Sequence, residues 1–195
     1  LEFILVSKNK SKLREFESFF KNLNIKFIPF YKNICEEGLT FFENAYLKAK
    51  EGFKEKRIAS IGEDSGLVID YLYGMPGVFS NRFYKEGDYK GNIKKVLEIL
   101  KDVPFYKRKA KFVSVIVLFL GENKFFSFKG EVEGFISFEE KGKEGFGYDP
   151  IFLYPGLGKT FAEIPLQIKN RISHRAKALM EFKKFIIENE GNIFR

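Results

Sequence analysis

The sequence predicts a mixed α/β fold, one sheet with helices on its faces, and three observations carry that expectation. Strand-like and helix-like segments alternate over residues 1–100, strand-like segments then run together over residues 109–138, and no internal repeat, linker or composition shift divides the 195 residues. A chain that is 45% hydrophobic can bury one substantial core. We therefore expect a single domain over residues 1–195.

The elements follow in order. EFILVS, residues 2–7, is an apolar run of strand length, and SKLREFESFF after it places Leu13, Phe16, Phe19 and Phe20 at helical spacing. IKFIPF, residues 25–30, reads as a second strand. TFFENAYLKAKEGFKEKR then has Thr40 as N-cap, Glu43 in the first turn, and Phe42, Ala45, Ala49 and Phe53 along one face, which predicts a long amphipathic helix. IASIG and LVIDYL read as two short strands bracketing an acidic turn, EDSG at residues 63–66, and GNIKKVLEIL reads as a helix. KAKFVSVIVLFL and KFFSFKGEVEGFISF flank GENK as an antiparallel hairpin. A glycine-rich loop, GKEGFGYDP, follows, and SHRAKALMEFKKFIIE closes the chain as a helix with Ser173 as its N-cap.

Composition narrows the function classes. The one cysteine, Cys35, forms no internal disulfide, and the N-terminal residues lack the basic lead and long apolar region of a signal peptide, so a cytoplasmic protein is expected. No stretch approaches the roughly 20 apolar residues of a membrane span. A net charge of +8 favours an anionic partner such as a nucleotide. The lysines are interspersed with glutamates and no RNP-like motif appears, which argues against nucleic acid.

Three segments carry chemistry. In EDSG, Asp64 is a candidate ligand for Mg²⁺, which takes one or two oxygen ligands from protein, and Glu43 is a candidate second carboxylate. Ser65 and Gly66 add a hydroxyl and open backbone N–H groups, the donors that cradle phosphate. By itself EDSG reads equally as a plain turn, since Asp, Ser and Gly are the commonest turn formers. The loop SKNKSK, comprising Ser7, Lys8, Asn9, Lys10, Ser11 and Lys12, lies between a strand and a helix N-terminus, where anions are attracted. It lacks the Walker spacing, which excludes a P-loop. In KNRISHRAKAL, Lys169, His174 and Arg175 gather donors around the start of the last helix. Cations there oppose the helix dipole, and a ligand that accepts hydrogen bonds would explain them. One histidine makes no multi-histidine zinc site, and no Gly-x-Ser-x-Gly elbow is present.

Taken together, SKNKSK, GLTFFENAYLKA, EDSGLVIDYLYGMPGVFSNRF, GFGYDPIF and KNRISHRAKAL resemble, in order and across nearly the whole chain, the inosine triphosphate pyrophosphatase family. The resemblance implies an elongated mixed sheet with two lobes around an active-site cleft, Mg²⁺ as cofactor, a homodimer, and hydrolysis of non-canonical purine nucleoside triphosphates to monophosphate and pyrophosphate. It implies that Ser7, Asn9 and Lys12 bind phosphate, that Glu43 and Asp64 hold the metal, and that Asp64 is also the general base; Lys12 would be catalytic by stabilising the charge that moves to the pyrophosphate leaving group. Ser65 and Arg82 become substrate contacts, Phe146, Gly147, Tyr148 and Asp149 line the nucleoside pocket, and Lys169, His174 and Arg175 read the base. Lys8 stands where many members have Gly, and Glu63 where many have Asp. A Maf-like pyrophosphatase acting on other nucleotides is the neighbouring reading, and the SHR and GFGYDP segments argue against it.

The implied chemistry agrees with the residue types. Attack on a triphosphate needs its charge offset and a carboxylate to take the proton of water. Hypoxanthine and xanthine carry an acceptor oxygen at purine position 6, where adenine carries a donor. The donors of Lys169, His174 and Arg175 would lie unpaired against adenine, at about 1 to 3 kcal/mol each.

Overall fold

The computed structural model describes residues 1–189 and Gly191. Strands β1 (Glu2–Val6), β2 (Lys26–Phe30), β3 (Ser60–Ile69), β4 (Lys109–Gly121), β5 (Lys124–Ile136), β6 (Phe152–Tyr154) and β7 (Lys159–Thr160) form one seven-stranded sheet in the order β2-β1-β3-β4-β5-β6-β7. β1 is parallel to β2 and β3, and β6 is antiparallel to β5 and β7, so the sheet is mixed as expected. The helices are α1 (Lys10–Phe20), α2 (Phe41–Lys56), α3 (Tyr89–Ile99), α4 (Leu166–Ile172) and α5 (His174–Asn189). Among the described residues, no helix is long and apolar enough to cross a membrane.

Contacts divide the chain into two compact units. The first comprises residues 1–64, 114–130 and the described residues from 177 onward, and the second comprises residues 65–113 and 131–176. Three of the junctions, Asp64–Ser65, Val113–Ser114 and Gly130–Glu131, fall inside β3, β4 and β5.

In the first unit the period of two along each strand sorts side chains between two faces. Phe3 and Leu5 of β1, Ile61 of β3, and Ile116 and Leu118 of β4 join Phe16 and Phe20 of α1 and Phe182 of α5 in one apolar cluster. The alternate residues face α2, whose buried positions are Asn44, Ala45, Ala49 and Gly52. This helix lies so close to β3 that a Cβ built on Gly62 would overlap the Ala45 carbonyl oxygen, and one on Gly52 would overlap Ser60 Oγ. The expected apolar stripe of α2 is corrected accordingly: Phe42 is 37% exposed, because only small residues fit against the strand. Gly62→Ala is expected to destabilise the protein by about 2 kcal/mol or more through overpacking, read as a lower thermal midpoint.

The largest correction concerns EDSG. The two short strands and the turn between them are one continuous ten-residue strand, β3, buried along most of its length. Three consecutive turn-forming residue types, Asp64, Ser65 and Gly66, lie mid-strand because the polar side chains meet partners there, and because glycine at position 62 admits α2.

The second unit is built on Phe112, Phe152 and Phe161, packed with Leu67, Ile69 and Val96. Phe112 and Phe152 rings lie 4.5 Å apart. Arg108 is fully buried, and its guanidinium donates to the carbonyls of Leu100, Val103 and Ser137, tying the end of α3 to the end of β5. The hairpin turns through Glu122 and Asn123, a two-residue connection that makes β4 and β5 antiparallel. The segments β6, β7 and α4 have no counterpart in the sequence reading.

Candidate active site

Asp64 lies on the face of β3 covered by α2, and the close approach at Gly62 fixes which side chains meet it. Its carboxylate, 6% exposed, accepts from Lys48 Nζ at 3.0 Å and from Asn44 Nδ2 at 3.4 Å. Asn44 and Lys48 are one helical turn apart on α2, so both point the same way. Lys48 also meets Glu36 Oε1 at 2.7 Å and the Glu63 carbonyl at 3.2 Å. Burial pushes the Asp64 carboxyl above its ordinary value, and the cations of Lys48 and Lys12 only partly offset that push. Burial pulls the Lys48 ammonium down, but Asp64 and Glu36 outweigh it and raise its pKa.

Glu63, one residue earlier, points to the opposite face of the strand. It is 3% exposed, forms an ion pair with Lys12 and accepts from Ser114 Oγ at 2.8 Å.

Glu43 is engaged at the N-terminus of its own helix. Its carboxylate accepts from the backbone N–H groups of Leu39 at 2.7 Å and Thr40 at 3.0 Å, while Thr40 Oγ1 accepts from the Glu43 N–H at 3.1 Å. That is a capping box, which satisfies the orphan donors of the α2 N-terminus. The carboxylate that shares Lys48 with Asp64 is Glu36. Among the described residues, no group of three or more His, Cys, Asp or Glu side chains could hold a metal ion.

The first loop is held by its own side chains. Ser7 Oγ accepts from the Asn9 N–H at 3.1 Å, and Asn9 caps α1 by accepting from the Ser11 N–H at 2.9 Å. Lys8 reaches the Asn33 side chain, and Lys10 and Ser11 are exposed on the first turn of α1. Lys12 is the member that turns inward, to Glu63.

The second unit gathers the other predicted residues. Gly145 and Gly147 adopt φ of 78° and 62°, a left-handed conformation that bends the loop around Phe146. Asp149, 2% exposed, accepts from the Phe146 N–H at 2.7 Å and forms an ion pair with Lys169. A Cβ at Gly145 would overlap that carboxylate. Burial raises the Asp149 pKa, against the pull of Lys169. The Lys169 ammonium and the Arg175 guanidinium lie 5.2 and 5.5 Å from the Phe146 ring centroid, so two cations attend one aromatic ring.

Ser173 caps α5 by accepting from the Ala176 N–H at 3.1 Å, placing His174 and Arg175 at the first two helical positions. His174 stacks on Phe112 with centroids 4.8 Å apart. Arg175 Nη2 donates to Ser65 Oγ at 3.1 Å. Tyr148 is 4% exposed and donates its hydroxyl to the Ser80 carbonyl at 2.8 Å, so its polar atom is spent inside the protein. Arg82 ends the 3₁₀ segment Gly77–Arg82, with its guanidinium 5.1 Å from the Phe79 ring centroid.

Sequence reasoning missed Glu36, Asn44, Lys48, Ser114 and Tyr89. Tyr89, at the start of α3, lies beside Gly147 of the GFGYDP loop. Asn44 and Lys48 did leave a signal, an i, i+4 polar pair on the face that also carries Ala45 and Ala49. Glu36 lies in irregular chain and left none.

The sequence profile of the Ham1 family matches residues 3–185. A dITP/XTP pyrophosphatase from Caldanaerobacter subterraneus subsp. tengcongensis is 40% identical over 195 residues, covering 96% of this chain and 97% of that protein. The structure of a HAM1 protein from Coxiella burnetii, 42% identical, matches with a TM-score of 0.91 over 96% of this chain and 99% of that one. The Ham1 protein of Staphylococcus aureus, 34% identical, matches with a TM-score of 0.88 over 96% and 99%.

Proposed function

The chain belongs to the Ham1 family, and on that premise we propose that it hydrolyses non-canonical purine nucleoside triphosphates, ITP, dITP and XTP, to the nucleoside monophosphate and pyrophosphate. The observation that carries this reading is the Asp64–Ser65 step of β3, where the carboxylate is held by Lys48 and the next hydroxyl takes a hydrogen bond from Arg175. Residues suited to triphosphate and residues suited to a base are thus consecutive in the chain.

The donor set of Asp64 and Glu36 fits Mg²⁺. The Lys48 ammonium already lies within 3.0 Å of one oxygen from each, so the two carboxylates together accommodate a cation. When bound, Mg²⁺ would offset triphosphate charge. Asp64 accepts a proton from the attacking water. The water oxygen bonds to the α-phosphorus, the bond from that phosphorus to the bridging oxygen breaks, and the electron pair leaves with pyrophosphate. Lys12 and Lys48 neutralise the departing charge, with Ser7, Lys8, Asn9, Lys10, Ser11 and Arg82 as further phosphate contacts.

In the base-reading set, Phe146 stacks on the purine while Lys169, His174 and Arg175 present donors to the oxygen at position 6. Asp149 acts through Lys169 and the Phe146 backbone, and Tyr148 through the packing beneath the loop. The homodimer belongs to the same proposal, and sedimentation at twice the 22.8 kDa chain mass tests it.

Initial rates of pyrophosphate release test the substrate class. Faster turnover of dITP and XTP than of dATP or dTTP is expected, and a preference for dTTP would contradict the reading. Chelation with EDTA should abolish turnover and Mg²⁺ should restore it. Glu36→Gln should raise the Mg²⁺ concentration for half-maximal rate roughly tenfold or more.

A further inference from the structure

We propose that Glu63 is a positioning residue for Lys12, itself anchored by Ser114, and that it takes no part in holding metal. The inference rests on the reading of Lys12 as a triphosphate-binding cation. Glu63 and Asp64 are adjacent in a continuous strand, so their side chains leave opposite faces. Both carboxylate oxygens of Glu63 are engaged by the protein. Oε1 accepts from Ser114 Oγ at 2.8 Å, and Oε2 pairs with the Lys12 ammonium. Ser114 is fully buried in β4.

The arrangement has a use. A lysine stem is long and rotamer-rich, so an ammonium that must meet a phosphate loses considerable freedom on binding. A carboxylate fixed in the sheet and ion-paired with the ammonium removes that freedom in advance, and the ammonium keeps N–H donors for phosphate oxygens. The same carboxylate also repels phosphate. The proposal is that positioning outweighs repulsion, and its sign is therefore testable.

The test compares the full-length wild-type chain with Glu63→Gln, Lys12→Met and the double variant. Two quantities are read for each: kcat/KM for dITP with Mg²⁺, and the Kd for inorganic tripolyphosphate by calorimetry without metal. Each single change is expected to weaken tripolyphosphate binding and lower kcat/KM about tenfold or more, with the double variant no worse than Lys12→Met alone. The Mg²⁺ concentration for half-maximal rate should stay unchanged in Glu63→Gln. Multiplying effects in the double variant, a raised Mg²⁺ requirement, or tighter tripolyphosphate binding by Glu63→Gln would each overturn the proposal. Ser114→Ala is the milder variant should Glu63→Gln not fold, and its effect should vanish in the Lys12→Met background. Persistence of the full effect there would overturn the proposal as well. A wild-type chain that binds tripolyphosphate with the expected coupling yet leaves dITP intact would refute the assigned activity and support the positioning role.

Discussion

Replacing Asp64 with Asn is expected to lower kcat for dITP by about 10³-fold or more, at the upper range for loss of a general base and equivalent to about 4 kcal/mol in the barrier. The substitution keeps the shape of the side chain and an acceptor for Asn44, so the loss reports charge and basicity. Stability should move the other way. Because burial raises the Asp64 pKa in the folded state, the charged form is disfavoured by folding. A raised pKa contributes stability that is fully present below the unfolded value and lost as pH rises through the folded value. Where the pH exceeds the folded value that contribution is gone and the desolvation cost remains, so there the Asp64→Asn chain should melt at or above the wild-type temperature. An inactive variant that also melts much lower would instead mean that Asp64 is a structural anchor for Lys48.

Lys169→Met is expected to cost both stability and selectivity. Asp149 is buried, and of its bonds from Lys169 and the Phe146 N–H it loses the first when Lys169 is removed. Leaving one member of a buried ion pair costs roughly 3 to 5 kcal/mol. The preference for dITP over dATP should fall roughly tenfold or more, the discrimination of one unpaired donor at about 1 to 3 kcal/mol. Pairing Lys169→Met with Asp149→Asn separates the two effects. The double variant removes the uncompensated carboxylate and keeps an acceptor for Phe146, so it should recover stability without recovering selectivity. Recovery of selectivity together with stability would show that Lys169 only supports the loop.

Much of this architecture is legible in the residues. The helices were found where capping chemistry and periodicity coincide, as at Thr40 with Glu43 and at Ser173 before His174. The hairpin of β4 and β5 follows from alternation around GENK. The acidic segment was misread because Asp, Ser and Gly have turn propensities that tertiary partners override, and the partners come from α1, α2 and β4, distant in sequence. Glu43 is instead a local matter: it stands in the helical first turn as expected, and the capping box that engages its carboxylate is implied by Thr40, three residues earlier. Glu36 was out of reach, since irregular chain has no periodicity to aim a side chain. The resemblance places Lys169 and Asp149 in the expected nucleoside set, but their pairing requires the fold to bring α4 to the GFGYDP loop.

The most direct measurement is hydrolysis of dITP in ¹⁸O-enriched water with Mg²⁺, followed by phosphorus NMR of the products. Water attack at the α-phosphorus places the label in deoxyinosine monophosphate, seen as an isotope-shifted monophosphate resonance beside unlabelled pyrophosphate. Label in pyrophosphate would mean attack at the β-phosphorus, and orthophosphate with diphosphate would mean cleavage of the terminal bond. Either result would contradict the assignment of Asp64 to a water aimed at the α-phosphorus.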